Sequence, residues 1–327
     1  METIINHIHI SNFKSLKDVT LDQCRRINLI IGKPNVGKSN LLEAMSLFCL
    51  PYLKYTRKRS IQQFIRTEND AELFFDGHVD SPISVKTNKV NVEVKMDNMG
   101  LLYSQTNPAH PAQDVAFTIS NLTIPAKKNI DIPTANPFKC YLYPPAFDKE
   151  KLPIPFLLPP GGSNLMNIVS MMPKLKEELR TIFNDYVFDT NSQEIKVMKE
   201  KKPGEIFLIP FHSIADTLQR MIFYKAAIES NSESALVFEE PEAHSYPPFI
   251  SKVTQDIIQS DRNQFFITTH SPYVVNDFLE LPSDELAIYL VDFRNGETFV
   301  KRASDTEIQE MYEYGIDLFF NTETFLR

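Results

Sequence analysis

Gly32-Lys33-Pro34-Asn35-Val36-Gly37-Lys38-Ser39 combines two glycines with a lysine and a serine at the spacing GxxxxGK[ST], and Asn40 follows it. Glycine lets the backbone wrap closely, so that successive N–H groups turn toward phosphate oxygens. Lys38 is then placed for the β- and γ-phosphates and Ser39 for Mg²⁺, so the expected ligands are ATP and Mg²⁺. A second group is Ala235-Leu236-Val237-Phe238-Glu239-Glu240-Pro241, four apolar residues ending in two carboxylates. A buried strand would deliver them to its carboxyl end, where open α/β sheets bind ligands. Glu239 is expected to hold Mg²⁺ through water and Glu240 to polarise the attacking water. Alone, the pair would read equally well as an exposed acidic turn; the P-loop far upstream favours chemistry. The third group, Thr268-Thr269-His270-Ser271-Pro272, ends another apolar run. His270 there can hydrogen-bond the γ-phosphate or the lined-up water.

These groups need strands and helices to hold them. Ile27 to Ile31 reads as a buried parallel strand and residues 40–48 as a helix, which is the setting a P-loop requires. The helix N-terminus adds partial positive charge at the phosphates. Residues 3–10 read as a strand, with a second near Val19. Alternating runs such as Val90, Val92 and Val94, or Val115, Phe117 and Ile119, predict an antiparallel meander over 71–123. Residues 124–163 are rich in proline and read as loop. Leu165 to Tyr186 has helical spacing, Ile195 to Lys202 is polar, and Pro203-Gly204 reads as a break. A strand over Ile206 to Ile209 opens a second apolar half. It continues with a helix over Asp216 to Glu229, strands at Ala235 and Phe265 with a helix between them, and a terminal hairpin turned at Asn295-Gly296. The nucleotide cradle and the paired carboxylates are expected on adjoining strands.

The 327 residues suit one large domain or two lobes, and 43% hydrophobic with 23% charged residues is ordinary for a globular chain. Cys24, Cys49 and Cys140 are far apart and form no CxxC pair, which argues against disulfides and a zinc site. No secretory signal or membrane span is expected, which predicts a cytoplasmic protein. A net charge of -8 excludes a surface that grips nucleic acid as a whole. The local clusters Lys54, Arg57, Lys58, Arg59 and Lys196, Lys199, Lys201, Lys202 read as solvated faces.

Taken together, the three groups resemble the ABC-type ATPase heads of the RecF, SMC and OLD-like group, within the AAA-family ATP-binding proteins. Ile8-His9-Ile10-Ser11-Asn12-Phe13-Lys14-Ser15 looks like the opening strand and turn of that group, and Gly37 to Ala44 is similar to its Walker A and first helix. Glu239-Glu240-Pro241-Glu242-Ala243-His244 resembles the OLD-type Walker B, with Glu239 where most ABC heads carry aspartate. His270-Ser271-Pro272 is similar to the H-loop. The resemblance implies an α/β fold: a P-loop NTPase head with a mixed central sheet, an antiparallel β-subdomain and a helical insert. Residues 1–70 would form an N-terminal ATPase lobe, 71–204 the meander, Pro-rich and helical insert, and 205–327 a C-terminal lobe. It also implies two heads closing around two ATP molecules, each site completed by the partner's signature. Here the sequence departs. In place of a Ser-Gly-Gly-Gln turn it has Ser213, Ala215, Asp216, Gln219 and Arg220, without glycine, and Asp216 would repel a γ-phosphate. Gln62 and Gln63 are candidates for the Q-loop by position.

The chain ends before a Toprim domain would fit and lacks the heptads of a long-armed SMC. Bare heads of this kind resemble ATPase subunits of prokaryotic defence or DNA-maintenance systems, in which a separate effector, a nuclease or toxin, does the chemistry. The expectation is an ATPase that switches with nucleotide as a homodimer, with nucleic acid left open as a ligand. The alternative is an ATP-gated scaffold or sensor with little turnover, which the altered signature favours. A GTPase would need Asn-Lys-x-Asp, and Asn88-Lys89-Val90-Asn91 lacks the aspartate.

Overall fold

The computed structural model describes residues 4–126, 136–147, 154–182, 186–189, 194–245 and 247–326. In chain order the elements are β1 (Ile8–Phe13), β2 (Leu16–Leu21), β3 (Ile27–Gly32), α1 (Lys38–Ser46), β4 (Ile83–Thr87), β5 (Asn91–Asp97), β6 (Gly100–Thr106), β7 (Val115–Ile119) and β8 (Phe138–Tyr141). They continue with α2 (Leu165–Met171), α3 (Pro173–Ile182), β9 (Tyr186–Asp189), β10 (Glu194–Lys202), β11 (Glu205–Pro210), α4 (Asp216–Ser230), β12 (Ala235–Glu239) and α5 (Pro247–Gln259). The last are β13 (Gln264–Thr268), α6 (Pro272–Leu279), β14 (Leu286–Arg294), β15 (Glu297–Arg302), α7 (Asp305–Tyr314) and α8 (Leu318–Phe325).

The central sheet runs β15-β14-β3-β13-β12-β8, parallel except for the β14–β15 hairpin. It is therefore a mixed sheet, as expected. Its inner strands are apolar on both faces because both are covered. One face, with Ile30, Val237, Phe266 and Tyr289, packs on α1 and on an antiparallel sheet ordered β2-β1-β4-β5-β6-β7. The other face, with Leu29, Leu236, Phe265 and Ile288, packs on residues of α4, α5 and α6 such as Phe223, Ile257 and Phe278. Cys24, Cys49 and Cys140 are buried free thiols. Among the described residues, no helix is long and apolar enough to cross a membrane.

Several elements differ from the sequence reading. β1 starts at Ile8 because the backbone before it is held by side chains: Ile5 N–H donates to Gln264, and Asn6 N–H to Asn88. Phe138–Tyr141, inside the proline-rich stretch, is a fully buried edge strand parallel to β12. The helix expected over 165–186 is divided at Met172 into α2 and α3, and Tyr186 already belongs to β9; residues 183–185 lie outside the described residues. The polar run from Ile195 is strand β10, and Pro203-Gly204 is its hairpin turn into β11. That hairpin and β9 form a separate sheet ordered β11-β10-β9, so Ile206, Phe207 and Leu208 are exposed rather than the start of a buried half. β3 and β12 are not adjoining, since β13 lies between them.

Candidate functional site

The turn after β3 carries Asn35 at φ 62° and Gly37 at φ 102°, both left-handed. A methyl group at Gly37 would lie 2.0 Å from Thr298 Oγ1, and one at Gly32 would lie 2.3 Å from the Val291 carbonyl oxygen. Glycine is required at both places by contact, and at Gly37 by backbone conformation as well. A short chain of hydrogen bonds braces the turn from behind. Thr298 Oγ1 donates to the Val36 carbonyl (3.0 Å) and shares a 2.6 Å bond with Ser15 Oγ, which accepts from Asn40 Nδ2 at 2.7 Å. The Phe13-Lys14-Ser15 turn and β15 thus fix the loop at the start of α1.

The loop opens on a cavity of about 470 Å³ whose lining includes Ser15, Lys38, Ser39, Arg66, Glu240 and His270. Pro34, Asn35, Gly37 and Asn40 also line it. Gly32 stands at the end of β3. Val36 is buried beneath the turn, and Lys33 leans outward to an ion pair with Glu323 of α8 at 2.6 Å. Lys38 curls over the loop and donates to the carbonyls of Gly32 (2.8 Å) and Lys33 (2.7 Å). Burial lowers its pKa, opposed by the negative charge of Glu240.

Strand β12 ends in register with β13, Glu239 opposite Thr268, which brings the carboxylates to the same end as the loop. Ser39 Oγ donates to Glu239 Oε1 at 2.6 Å, and Arg66 Nη2 donates to Glu239 Oε2 at 2.6 Å. Glu240 adopts a left-handed φ of 41° and faces His270, with Oε1 3.2 Å from Nε2. A bulky residue in that conformation is strained, and the strain turns the carboxylate out of the strand direction into the cavity. Behind it, Glu242 Oε1 accepts from Thr269 Oγ1 (2.6 Å) and from the His270 backbone N–H (2.9 Å), which anchors the loop carrying the histidine. Burial raises the Glu242 pKa, against those hydrogen bonds.

The fold thus brings Lys38, Ser39, Glu239, Glu240 and His270 together. It does not bring the other candidates there. Gln62 and Gln63 bond to Thr67 and Thr56 and line a smaller, 110 Å³ cavity whose wall includes Glu239. Arg66, three residues beyond Gln63, lines both this cavity and the main one. Ser213, Ala215, Asp216, Gln219 and Arg220 stand at the start of α4, and none of them lines the cavity. Arg66, Ser15, Thr298 and Glu242 were not singled out as site residues from the sequence. Only for Ser15 and Glu242 was there a signal, because both stand inside family-like segments.

Residues 4–131 match the family described as "AAA ATPase domain", and residues 167–276 match "AAA domain, putative AbiEii toxin, Type IV TA system". An ATP/GTP phosphatase of Helicobacter pylori is 25% identical across 85% of this chain and 87% of its own. Two separate stretches of the chain thus match AAA-type ATPase domains. The RecF replication and repair protein of Staphylococcus epidermidis is 29% identical over 29% of this chain and 26% of the RecF chain. Among solved structures, an SMC head from Pyrococcus furiosus, bound there to the C-terminal domain of ScpA, covers 95% of this chain and 98% of its own at 12% identity with a TM-score of 0.49. No group of three or more histidine, cysteine or acidic residues suited to a metal occurs among the described residues. The Ser39 hydroxyl and the Glu239 carboxylate are the oxygen donors at hand. Hard oxygen donors of this number suit Mg²⁺, which takes its other ligands from phosphate and water.

Proposed function

We propose that this head binds ATP with Mg²⁺ in the 470 Å³ cavity, hydrolyses it, and uses nucleotide state to control a separate effector in a prokaryotic defence or DNA-maintenance complex. The observation that carries the reading is the convergence on one cavity of Lys38, Ser39 and the Glu240–His270 pair at 3.2 Å, with Glu239 bonded to Ser39 at 2.6 Å beside it. Backbone N–H groups from Pro34's neighbours through Asn40 would hold the phosphates, and Lys38 would leave the loop carbonyls for the β- and γ-phosphates. Ser39 and Glu239 would hold Mg²⁺, which when bound neutralises phosphate charge. Glu240 would accept hydrogen bonding from the attacking water and orient it in line with the γ-phosphate, while His270 fixes the carboxylate. The printed activity of the Helicobacter relative, phosphate release from ATP or GTP, is of the same class.

We take the two lobes as 1–70 and 205–327, with 71–204 as the insert, and an OLD-like branch. Ser213, Ala215 and Asp216 are exposed at the start of α4, which suits contact with a second head in a homodimer. The second reading, an ATP-gated scaffold with little turnover, is favoured by one observation. Asp216 and Arg220 are bonded to each other at 2.8 Å instead of standing ready for a partner's nucleotide.

Phosphate release and ATP binding separate these outcomes. Glu240→Gln should keep ATP binding and lower phosphate release by about 100-fold or more. Lys38→Ala should lose ATP binding. Wild-type protein that binds ATP and dimerises without releasing phosphate would favour the scaffold, and wild-type protein that binds no nucleotide would end both readings.

A further inference from the structure

One cation on the cavity wall has no part in that reading. The backbone of Arg66 is clamped on both sides: its N–H donates to Glu43 Oε1 at 3.3 Å, and its carbonyl accepts from Lys14 Nζ at 2.6 Å. Glu43 and Lys14 are themselves an ion pair beneath it. The Arg66 side chain beyond this clamp is 67% exposed and is fastened at its tip, where Nη2 meets Glu239 Oε2 at 2.6 Å; its Nε is 3.9 Å from Glu43. The other oxygen of Glu239 is taken by the Ser39 hydroxyl. Both groups suited to Mg²⁺ are therefore engaged: the Ser39 hydroxyl with one Glu239 oxygen, and the other Glu239 oxygen with a guanidinium.

A guanidinium stays charged at all working pH values and is more weakly hydrated than an ammonium, so it can neutralise a half-buried carboxylate without a heavy desolvation cost. A divalent cation bonded to Glu239 would stand close to that same guanidinium, and the two positive charges repel. We propose that Arg66 is a displaceable placeholder for the metal: guanidinium and divalent cation compete for Glu239, and metal entry frees the Arg66 side chain, on a fixed backbone, inside the nucleotide cavity. This makes Arg66 a positioning residue, and it rests on the nucleotide-site reading above.

The test uses Mn²⁺ as the probe, titrated into the whole chain loaded with a non-hydrolysable ATP analogue, with bound metal read from the loss of the free-ion paramagnetic resonance signal. Arg66→Gln should lower the half-saturating Mn²⁺ about three- to tenfold, the worth of one charge-assisted contact at a half-exposed site. Arg66→Lys should fall between Arg66→Gln and wild type, and Glu239→Gln should weaken Mn²⁺ binding. Since the side chain is exposed, the melting temperature of Arg66→Gln should stay near that of wild type. Wild-type protein that binds Mn²⁺ with nucleotide, together with Arg66→Gln that binds it equally or less tightly, would overturn the placeholder alone. Wild-type protein that binds neither would overturn the nucleotide site and the placeholder with it.

Discussion

Two helix N-termini, those of α1 and α4, show how differently this chain treats the same physical resource. Both begin with unpaired N–H groups and partial positive charge. At α1 the cap is Gly37 in the left-handed region, no acidic residue stands in the first turn, and the end opens on the cavity. At α4 the first helical residue is Asp216, so a carboxylate of the chain itself already answers the dipole. That carboxylate also accepts from Tyr143 OH (2.9 Å) and Arg220 Nε (2.8 Å), and Arg220 stacks 4.2 Å over the Tyr143 ring. Gln219 turns back to the Ile214 carbonyl. Neither end has a side-chain cap bond, but the first carries no negative charge in its first turn and can receive an anion, whereas the second already holds an acidic residue fixed by Tyr143 and Arg220. A sequence position near a helix start is thus no measure of a phosphate site until its cap and first turn are known.

Gly37→Ala should break the α1 end most severely. The left-handed backbone and the 2.0 Å approach to Thr298 Oγ1 both oppose a methyl group, so chemical denaturation should show a loss of about 1–3 kcal/mol, and ATP binding should fall on the order of 100-fold. Adding Thr298→Ala removes the 2.0 Å contact but leaves Ser15 Oγ at 2.9 Å, the Cβ of residue 298 at 3.0 Å and the backbone strain. The double variant should regain part of the stability and little of the affinity; full recovery of binding would show that contact alone shapes the cradle. At the α4 end, Asp216→Ala should cost under about 1 kcal/mol and change ATP affinity of the monomer by less than about threefold. A large loss of affinity in the monomer would mean that α4 acts in cis, and the contrast between the two ends would fail. If heads pair, the same variant should instead change the dependence of phosphate release on protein concentration.

The contrast also explains what could be read from the sequence. The P-loop, the Glu239-Glu240 strand and the His270 turn are each continuous segments punctuated by glycine, proline or a change from apolar to acidic residues, and those local signals place them on β3, β12 and β13. The β4–β7 meander follows from alternating runs, whereas the mixed sheet is what the family resemblance implies. What was illegible depends on register between distant segments. Arg66 lies in an aperiodic stretch where Gln62-Gln63 was the more conspicuous feature, and it reaches Glu239 only because Glu43 and Lys14 hold its backbone. Thr298 looks like any exposed hairpin residue until β14 pairs with β3 and carries the hairpin behind the loop. β8 is four residues flanked by prolines, so its turn signals outweighed its apolar ones. β10 was hidden by its lysines, because a strand in a small exposed sheet has no buried face long enough to show alternation.

A gentler perturbation on the same side of the contrast concerns Glu242. Its Oε1 holds Thr269 and the His270 backbone, while its Oε2 is buried without a hydrogen-bond partner among the described residues. Burial raises its folded-state pKa above that of the unfolded chain. For a carboxyl group shifted upward, the contribution to stability is fully present below the ordinary carboxylate range and is lost as pH rises through the folded-state value. Glu242→Gln keeps an oxygen for Thr269 and His270 and cannot ionise. Its melting temperature should therefore match or exceed that of wild type at pH 8, and the difference should shrink as pH falls. Because the His270 anchor is retained, phosphate release should change little. A variant less stable than wild type at pH 8 would mean that the buried charge at Oε2 is stabilised by a group outside the described residues. The Glu242 side would then resemble the self-satisfied α4 end more than the open α1 end.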